Sequence, residues 1–263
     1  MSINSKLTIF AARELVLARD AGERFRIEIS IKRLKTKLKQ KFLRNIKDFI
    51  LFGSYTRNTI LPRKYDPNSD VDLMVIFNSN NGVKTPETYR RNLIYILDEA
   101  YPNSIYEKDF PAVKLELNHI KFDIVPSYKE ESFFGGKSFY IPDSGNRWQI
   151  TEPNDINEDL SSRNQSYGNN LVRNTLRLCK HWNAFAGYPF ESYIMEKEIL
   201  GSSFSSSNNL YDSFLEILGY IADDLPGVSQ ALSYISRYQG GIFEAPNEQK
   251  QLEWLQKLLP GLE

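Results

Sequence analysis

Phe49 to Phe77 reads FILFGSYTRNTILPRKYDPNSDVDLMVIF. Phe49-Ile50-Leu51-Phe52 is a short apolar run with the length of a buried strand, and Gly53-Ser54 breaks it. A polar, proline-punctuated segment follows. The chain returns at Asp70-Val71-Asp72 as a second apolar run ending at Phe77. Strand residues two apart share a face, so Asp70 and Asp72 point the same way. Neighbouring carboxylates repel unless a cation lies between them. Hard oxygen ligands of this kind suit magnesium, commonly together with substrate phosphates.

A third carboxylate stands at Asp123. Pro111 to Pro126, PAVKLELNHIKFDIVP, reads as a β-hairpin: Val113, Leu115 and Leu117 alternate with polar residues, Asn118-His119 turns, and Ile120, Phe122 and Ile124 alternate again. Asp123 lies on the face opposite Phe122 and Ile124. Three carboxylates converging from adjacent strands would hold two metal ions roughly 3.5–4 Å apart, one activating an attacking hydroxyl and one neutralising a leaving pyrophosphate. Gly53 lets the backbone turn sharply and approach a ligand. If Tyr55 to Ile60 begins a helix, its N–H groups face an anion and Ser54 donates to a triphosphate oxygen. The bland alternative makes Asp70 and Asp72 polar residues at a strand entrance and Asp123 part of an outward face.

Gly53-Ser54, a long insertion, Asp70-x-Asp72 and a distant Asp123 on a hairpin resemble the polymerase β-like nucleotidyltransferase superfamily. Asn170 to Asn183, NLVRNTLRLCKHWN, is similar to the helix that carries a phosphate-binding lysine in cyclic-GMP-AMP-synthase and oligoadenylate-synthetase-like enzymes. Glu191 to Glu196, ESYIME, resembles their serine-tyrosine segment beside the donor nucleotide, and Trp148 to Pro153 their stretch leading into the helical half. The nearest resemblance is to the bacterial CD-NTase group, over roughly 46–196. It implies an α+β enzyme: a polymerase β-like lobe with a mixed β-sheet (1–153), a helical lobe (154–263) and an active-site cleft between them. It implies that Asp70, Asp72 and Asp123 are catalytic and bind two Mg²⁺ ions, with Mn²⁺ able to substitute. It also implies that Gly53, Ser54, Lys180 and Ser192 hold the donor triphosphate and that Tyr193 stacks on its base. The expected function is synthesis of cyclic or linear oligonucleotide signals from nucleoside triphosphates in anti-phage defence. An RNA- or protein-modifying transferase and a non-catalytic nucleotide sensor stay open as alternatives. The chain is short for the group, so an accessory element is expected to be absent.

Composition sets the outer bounds. The 263 residues suit one large or two small domains, and 33 basic residues balance 33 acidic ones. That balance argues against a protein held to nucleic acid by bulk positive charge. The single cysteine, Cys179, excludes an intramolecular disulfide framework and a cysteine-rich zinc site. No apolar stretch is long enough to cross a membrane, and Arg13, Arg19 and Asp20 interrupt any signal-peptide pattern. A cytoplasmic protein is expected, with no membrane partner.

Around the core stretch, Ser2 to Ala21 should form an N-terminal helix or arm. Glu23 to Ile46 has helical spacing (Ile27, Ile31, Leu34, Leu38, Phe42, Ile46) opposite many Lys and Arg residues, among them Arg44 and Lys47. It resembles the family's spine helix. Its basic face is read as solvated, partly offset by acids from Glu152 to Asp159. No obligatory double-stranded nucleic acid activator is therefore expected, and regulation is left to a protein or small molecule. Arg63 and Lys64 belong to a solvated loop. Thr85-Pro86-Glu87 starts a helix with a buried stripe of Tyr89, Leu93, Ile96, Leu97 and Ala100. Tyr128 to Pro153 is loop-like, broken at Gly135-Gly136, with a short sheet extension among its aromatic residues. From Ser166 the pattern is helical. Leu171, Thr175, Leu178 and Trp182 form one stripe, and Arg173, Arg177 and Lys180 another side. A serine-rich loop spans Gly201 to Asn209. His119 is expected in a hairpin turn and His181 on a helix surface.

Overall fold

The structure, a computed structural model, describes residues 1–17, 22–42, 45–80, 82–102, 104–109 (backbone alone for 105–109), 111–131, 136–204, 209–240 and 245–263. The end of the expected Ser2–Ala21 arm, Arg44, the break at Gly135 and the middle of the serine-rich loop (205–208) lie outside the described residues. The fold is α+β with a mixed sheet, and the chain divides into two units. Residues 18–60 and 68–155 form a sheet unit. Residues 1–17, 61–67 and 156–263 form a helical unit. Met1–Leu17 and Leu61–Pro67 thus cluster with the helices, whereas the sequence reading kept all of 1–153 with the sheet.

The sheet unit starts with α2 (Gly22–Phe42), preceded in the chain by α1 (Ile3–Ile9) and a π-helical turn at Phe10–Glu14. Then come β1 (Ile46–Phe52), the single helical turn α3 (Gly53–Thr56), β2 (Asp70–Phe77) and α4 (Pro86–Ala100). β3 (Ile105–Asp109), β4 (Ala112–Leu117), β5 (Ile120–Glu131), β6 (Lys137–Pro142) and β7 (Trp148–Thr151) complete the sheet. Among the described residues the order is β1-β2-β5-β4-β3, with β6 and β7 continuing from the far end of β5. β2 and β5 run parallel and the other pairs antiparallel.

Alternation decides which face is covered. Phe77 stacks on Tyr89 of α4 (ring centroids 4.3 Å) and meets Phe42 of α2 edge-on (5.1 Å). The face of β2 carrying Val71, Leu73, Val75 and Phe77 therefore lies under these helices. Asp70 and Asp72 alternate with it and occupy the other face. α2 is shorter than expected, and the chain from Ile46 belongs to β1. Its basic side chains are partly balanced inside this unit. Arg24 pairs with Glu28 at 3.1 Å, Lys41 with Glu99 and Lys47 of β1 with Glu131, while Lys37 lies over the Tyr101 ring.

The helical unit contains α5 (Asp155–Tyr167), α6 (Leu171–Phe185), α7 (Ser192–Gly201), α8 (Leu210–Ala222), α9 (Pro226–Tyr238) and α10 (Glu248–Leu258). α6 is its central helix and is buried almost all round. That corrects one expectation. His181 is not a surface histidine: it is buried, packs edge-on to Phe10 and Tyr65, and its Nε2 lies 2.9 Å from the Pro260 carbonyl. Arg177 and Lys180, on a different side of the helix from the apolar stripe, are buried too. Arg177 donates to Asn174 Oδ1 at 2.8 Å, and Asn183 exchanges two hydrogen bonds with the Phe190 backbone. The reason is coverage from distant segments, which sheathe the polar side of α6 as well as its apolar stripe. Burial holds the Arg177 guanidinium down to about 10 and pushes the Cys179 thiol up.

Candidate active site

β2 and β5 lie side by side with Asp72 in register with Asp123 and Asp70 in register with Lys121. In-register neighbours on parallel strands present side chains to the same face, about 4.8 Å apart. Asp70, Asp72 and Asp123 thus share one face, away from α2 and α4. All three are half-buried, and Oδ1 of Asp123 is buried.

Gly53 explains why the β1–β2 connection begins as it does. Its φ is +69°, a left-handed conformation that favours glycine. A Cβ there would lie 1.8 Å from Asp72 Oδ2, so a side chain at this position would occupy the space of the carboxylate. Ser54 follows, buried, and its carbonyl accepts from Thr59 N and Ile60 N at 3.0 and 3.1 Å, closing the turn. The expected helix at Tyr55 to Ile60 is only the single turn α3.

The antiparallel register of β4 and β5 adds charges that sequence reading missed. Lys114 stands opposite Asp123, and Glu116 opposite Lys121. Lys121 Nζ donates to Asn68 Oδ1 at 2.9 Å and lies 4.0 Å from Glu116 Oε1. Asn68, Asp70, Lys114, Leu115, Glu116, Lys121 and Asp123 line a cavity of about 290 Å³. A signal for these residues was present: the Asn118-His119 turn pairs Leu117 with Ile120, which fixes every partner behind it.

Three hard carboxylates on one face of adjacent strands, with Gly53 leaving room for that of Asp72, fit a divalent cation such as magnesium by donor chemistry. Among the described residues, however, no three acidic, histidine or cysteine side chains are already gathered as a metal cluster.

The remaining site residues belong to the helical unit. Lys180 Nζ donates to Glu196 Oε1 at 3.0 Å, and the two side chains are only 7% and 2% exposed. Glu196 is a partner that sequence reading did not assign. Ser192 opens α7 and is half-buried. Tyr193 is exposed, with the Lys197 ammonium 5.1 Å from its ring centroid. Arg63 and Lys64 are held locally: Arg63 donates to the Pro67 carbonyl at 2.7 Å and Lys64 to Glu14 Oε2 at 2.7 Å.

A mixed sheet with an Asp-x-Asp strand beside a third in-register aspartate, joined to a helical unit, defines a polymerase β-like nucleotidyltransferase fold. Residues 1–164 match the Second Messenger Oligonucleotide or Dinucleotide Synthetase (SMODS) domain, and the chain belongs to that family of nucleotidyltransferases. A "Probable cyclic nucleotide synthase" of Bacillus cereus (strain VD146) is 28% identical over 189 residues, 59% of this chain. The match spans 55% of that relative's length. Among solved structures, E. coli MS115-1 CdnC with ATP is similar with a TM-score of 0.65 and 15% identity, over 100% of this chain and 99% of that one. The complex of E. coli MS115-1 CdnC with HORMA-deltaN gives a TM-score of 0.64 and 17% identity, over 98% and 97%. At these identities the structures share the fold. Among the described residues no helix is long and apolar enough to cross a membrane.

Proposed function

We propose that the protein is a magnesium-dependent nucleotidyltransferase that joins nucleoside triphosphates into cyclic or linear oligonucleotide signals in bacterial anti-phage signalling in the cytoplasm. The observation that carries the reading is the register of Asp72 with Asp123 beside Asp70, with Gly53 leaving room for the Asp72 carboxylate. Family membership and a curated cyclic nucleotide synthase relative support it. Asp70, Asp72 and Asp123 are assigned as ligands of two magnesium ions, which when bound supply charge neutralisation at the transferring phosphate and an activated acceptor hydroxyl.

In the reaction a 2′- or 3′-hydroxyl oxygen forms a bond to the donor α-phosphorus, and the bond to pyrophosphate breaks. The protein's own contribution is positioning and electrostatics. Gly53 and Ser54 are assigned to the donor phosphates, and the exposed Tyr193 ring is suited to stack on a base. Lys180 and Ser192 complete the proposed donor contacts. Lys180 spends one of its three N–H groups on Glu196, leaving the others for a phosphate. No double-stranded nucleic acid is required in this reading, because Glu28, Glu99 and Glu131 already take up part of the charge of the basic residues. A regulatory protein partner is suggested by the relative CdnC, whose structure was solved with HORMA-deltaN.

The test is incubation of the purified chain with each nucleoside triphosphate and their mixtures plus magnesium, with products identified by mass. Oligonucleotide products together with pyrophosphate are expected. A product attached to tRNA or protein, and none from nucleotides alone, would favour a modifying transferase instead.

A further inference from the structure

On the aspartate face the charges form two cross-strand rows. One runs Asp72, Asp123, Lys114; the other runs Asp70, Lys121, Glu116. Residues directly opposite on antiparallel strands have Cβ atoms about 4.5–5.5 Å apart, within reach of a lysine stem. Lys114 and Asp123 also line the same cavity, and both are half-buried, so solvent screens their attraction only in part. Lys121 is placed differently, with Asn68 and Glu116 sharing its ammonium. Lys114 is the cation that directly faces the aspartate pair formed by the two central strands.

We propose that Lys114 is a built-in counter-cation that sets how tightly the aspartates bind a divalent metal. The proposal rests on the reading of Asp70, Asp72 and Asp123 as metal ligands. Its ammonium balances the carboxylate row before substrate arrives and repels a bare divalent ion. A metal carried in with a triphosphate meets less opposition, because the phosphate charge offsets the ammonium. Lys114 is a positioning residue in this account: it acts through the Asp123 carboxylate. The consequence is that metal and nucleotide bind with positive coupling, and removing Lys114 weakens that coupling.

The experiment measures manganese binding to the purified full chain by electron paramagnetic resonance of the free ion, without nucleotide, with a melting curve for each variant. Lys114→Gln is expected to bind manganese about tenfold more tightly than wild type. Lys121→Gln should show a smaller gain, Lys114→Arg should bind as wild type does, and Asp72→Asn should bind more weakly. Lys114→Thr, which suits a strand, replaces Lys114→Gln if the glutamine variant does not fold. Unchanged affinity on loss of the lysine, with weaker binding in Asp72→Asn, overturns the proposal and leaves the metal reading standing. Equal binding by wild type and Asp72→Asn, or none by either, overturns both.

Discussion

In the sheet unit three carboxylates share one half-buried face; in the helical unit a lysine and a glutamate meet 3.0 Å apart, almost fully buried. Both are charge clusters, but their physics is opposite. The aspartates repel one another, and the single lysine facing their row, Lys114, offsets only part of that repulsion. Lys180 and Glu196 carry opposite charges, and their attraction offsets part of the cost of burying them. Substitution separates the two. Removing a carboxylate from the row relieves repulsion and removes chemistry. Removing one member of the pair takes that attraction away from a charge that stays in the protein interior.

The largest expected effect is therefore on turnover, in Asp72→Asn. The account expects a fall of at least about a thousandfold, corresponding to several kcal/mol of lost electrostatic stabilisation. Its urea midpoint should equal or exceed that of wild type. A variant that unfolds easily would move Asp72 to the structural side of the comparison.

Lys180→Ala should behave in the reverse order. Loss of one partner of a buried pair costs about 3–5 kcal/mol of stability, read by urea unfolding. The double variant Lys180→Met, Glu196→Gln should recover a large part of that loss. Nucleotide affinity measured in the refolded double variant then isolates the proposed phosphate contact from the packing role. A single variant as stable as wild type would end the contrast between the two clusters.

Gly53→Ala falls between the extremes, because the glycine serves the backbone and the site together. The left-handed conformation costs an alanine about 1–2 kcal/mol. The added Cβ also competes with Asp72 Oδ2 for space. Turnover and urea midpoint should both decline. Loss of stability alone would mean that the carboxylate moves aside without consequence.

The smallest effect concerns His181. Burial, the largest influence, holds its pKa below the ordinary histidine value, against the raising effect of its contacts with the Pro260 and Tyr65 backbone. The unfolded chain therefore takes up the proton first. The contribution of the neutral ring is fully present above about 6.5 and is lost as pH falls through the depressed folded value. Urea midpoints at neutral and mildly acidic pH should fall more steeply for wild type than for His181→Gln. Equal slopes would remove His181 from the pH response.

The aspartate face was legible in the sequence because strands encode it twice, in the two-residue spacing of Asp70 and Asp72 and in the alternation around Asp123. The hairpin turn at Asn118-His119 even carried the register of Lys114 and Lys121, which needed only to be counted out. β3 was not legible: Ile105-Tyr106-Glu107-Lys108-Asp109 has little apolar alternation, as suits an edge strand. The surroundings of α6 were not legible either. Its second covering comes from the Phe10–Glu14 turn, Phe190 and Pro260, and such long-range packing leaves no local period. Lys180 consequently read as one side of a helix, and Glu196 carried no signal as its partner.

The most direct test of the aspartate row uses its member most distant in sequence. Pyrophosphate release by Asp123→Asn is measured at saturating nucleoside triphosphate and magnesium, with a melting curve alongside. The account predicts release at background and a melting temperature at or above that of wild type. Wild-type release from a folded Asp123→Asn protein would contradict it.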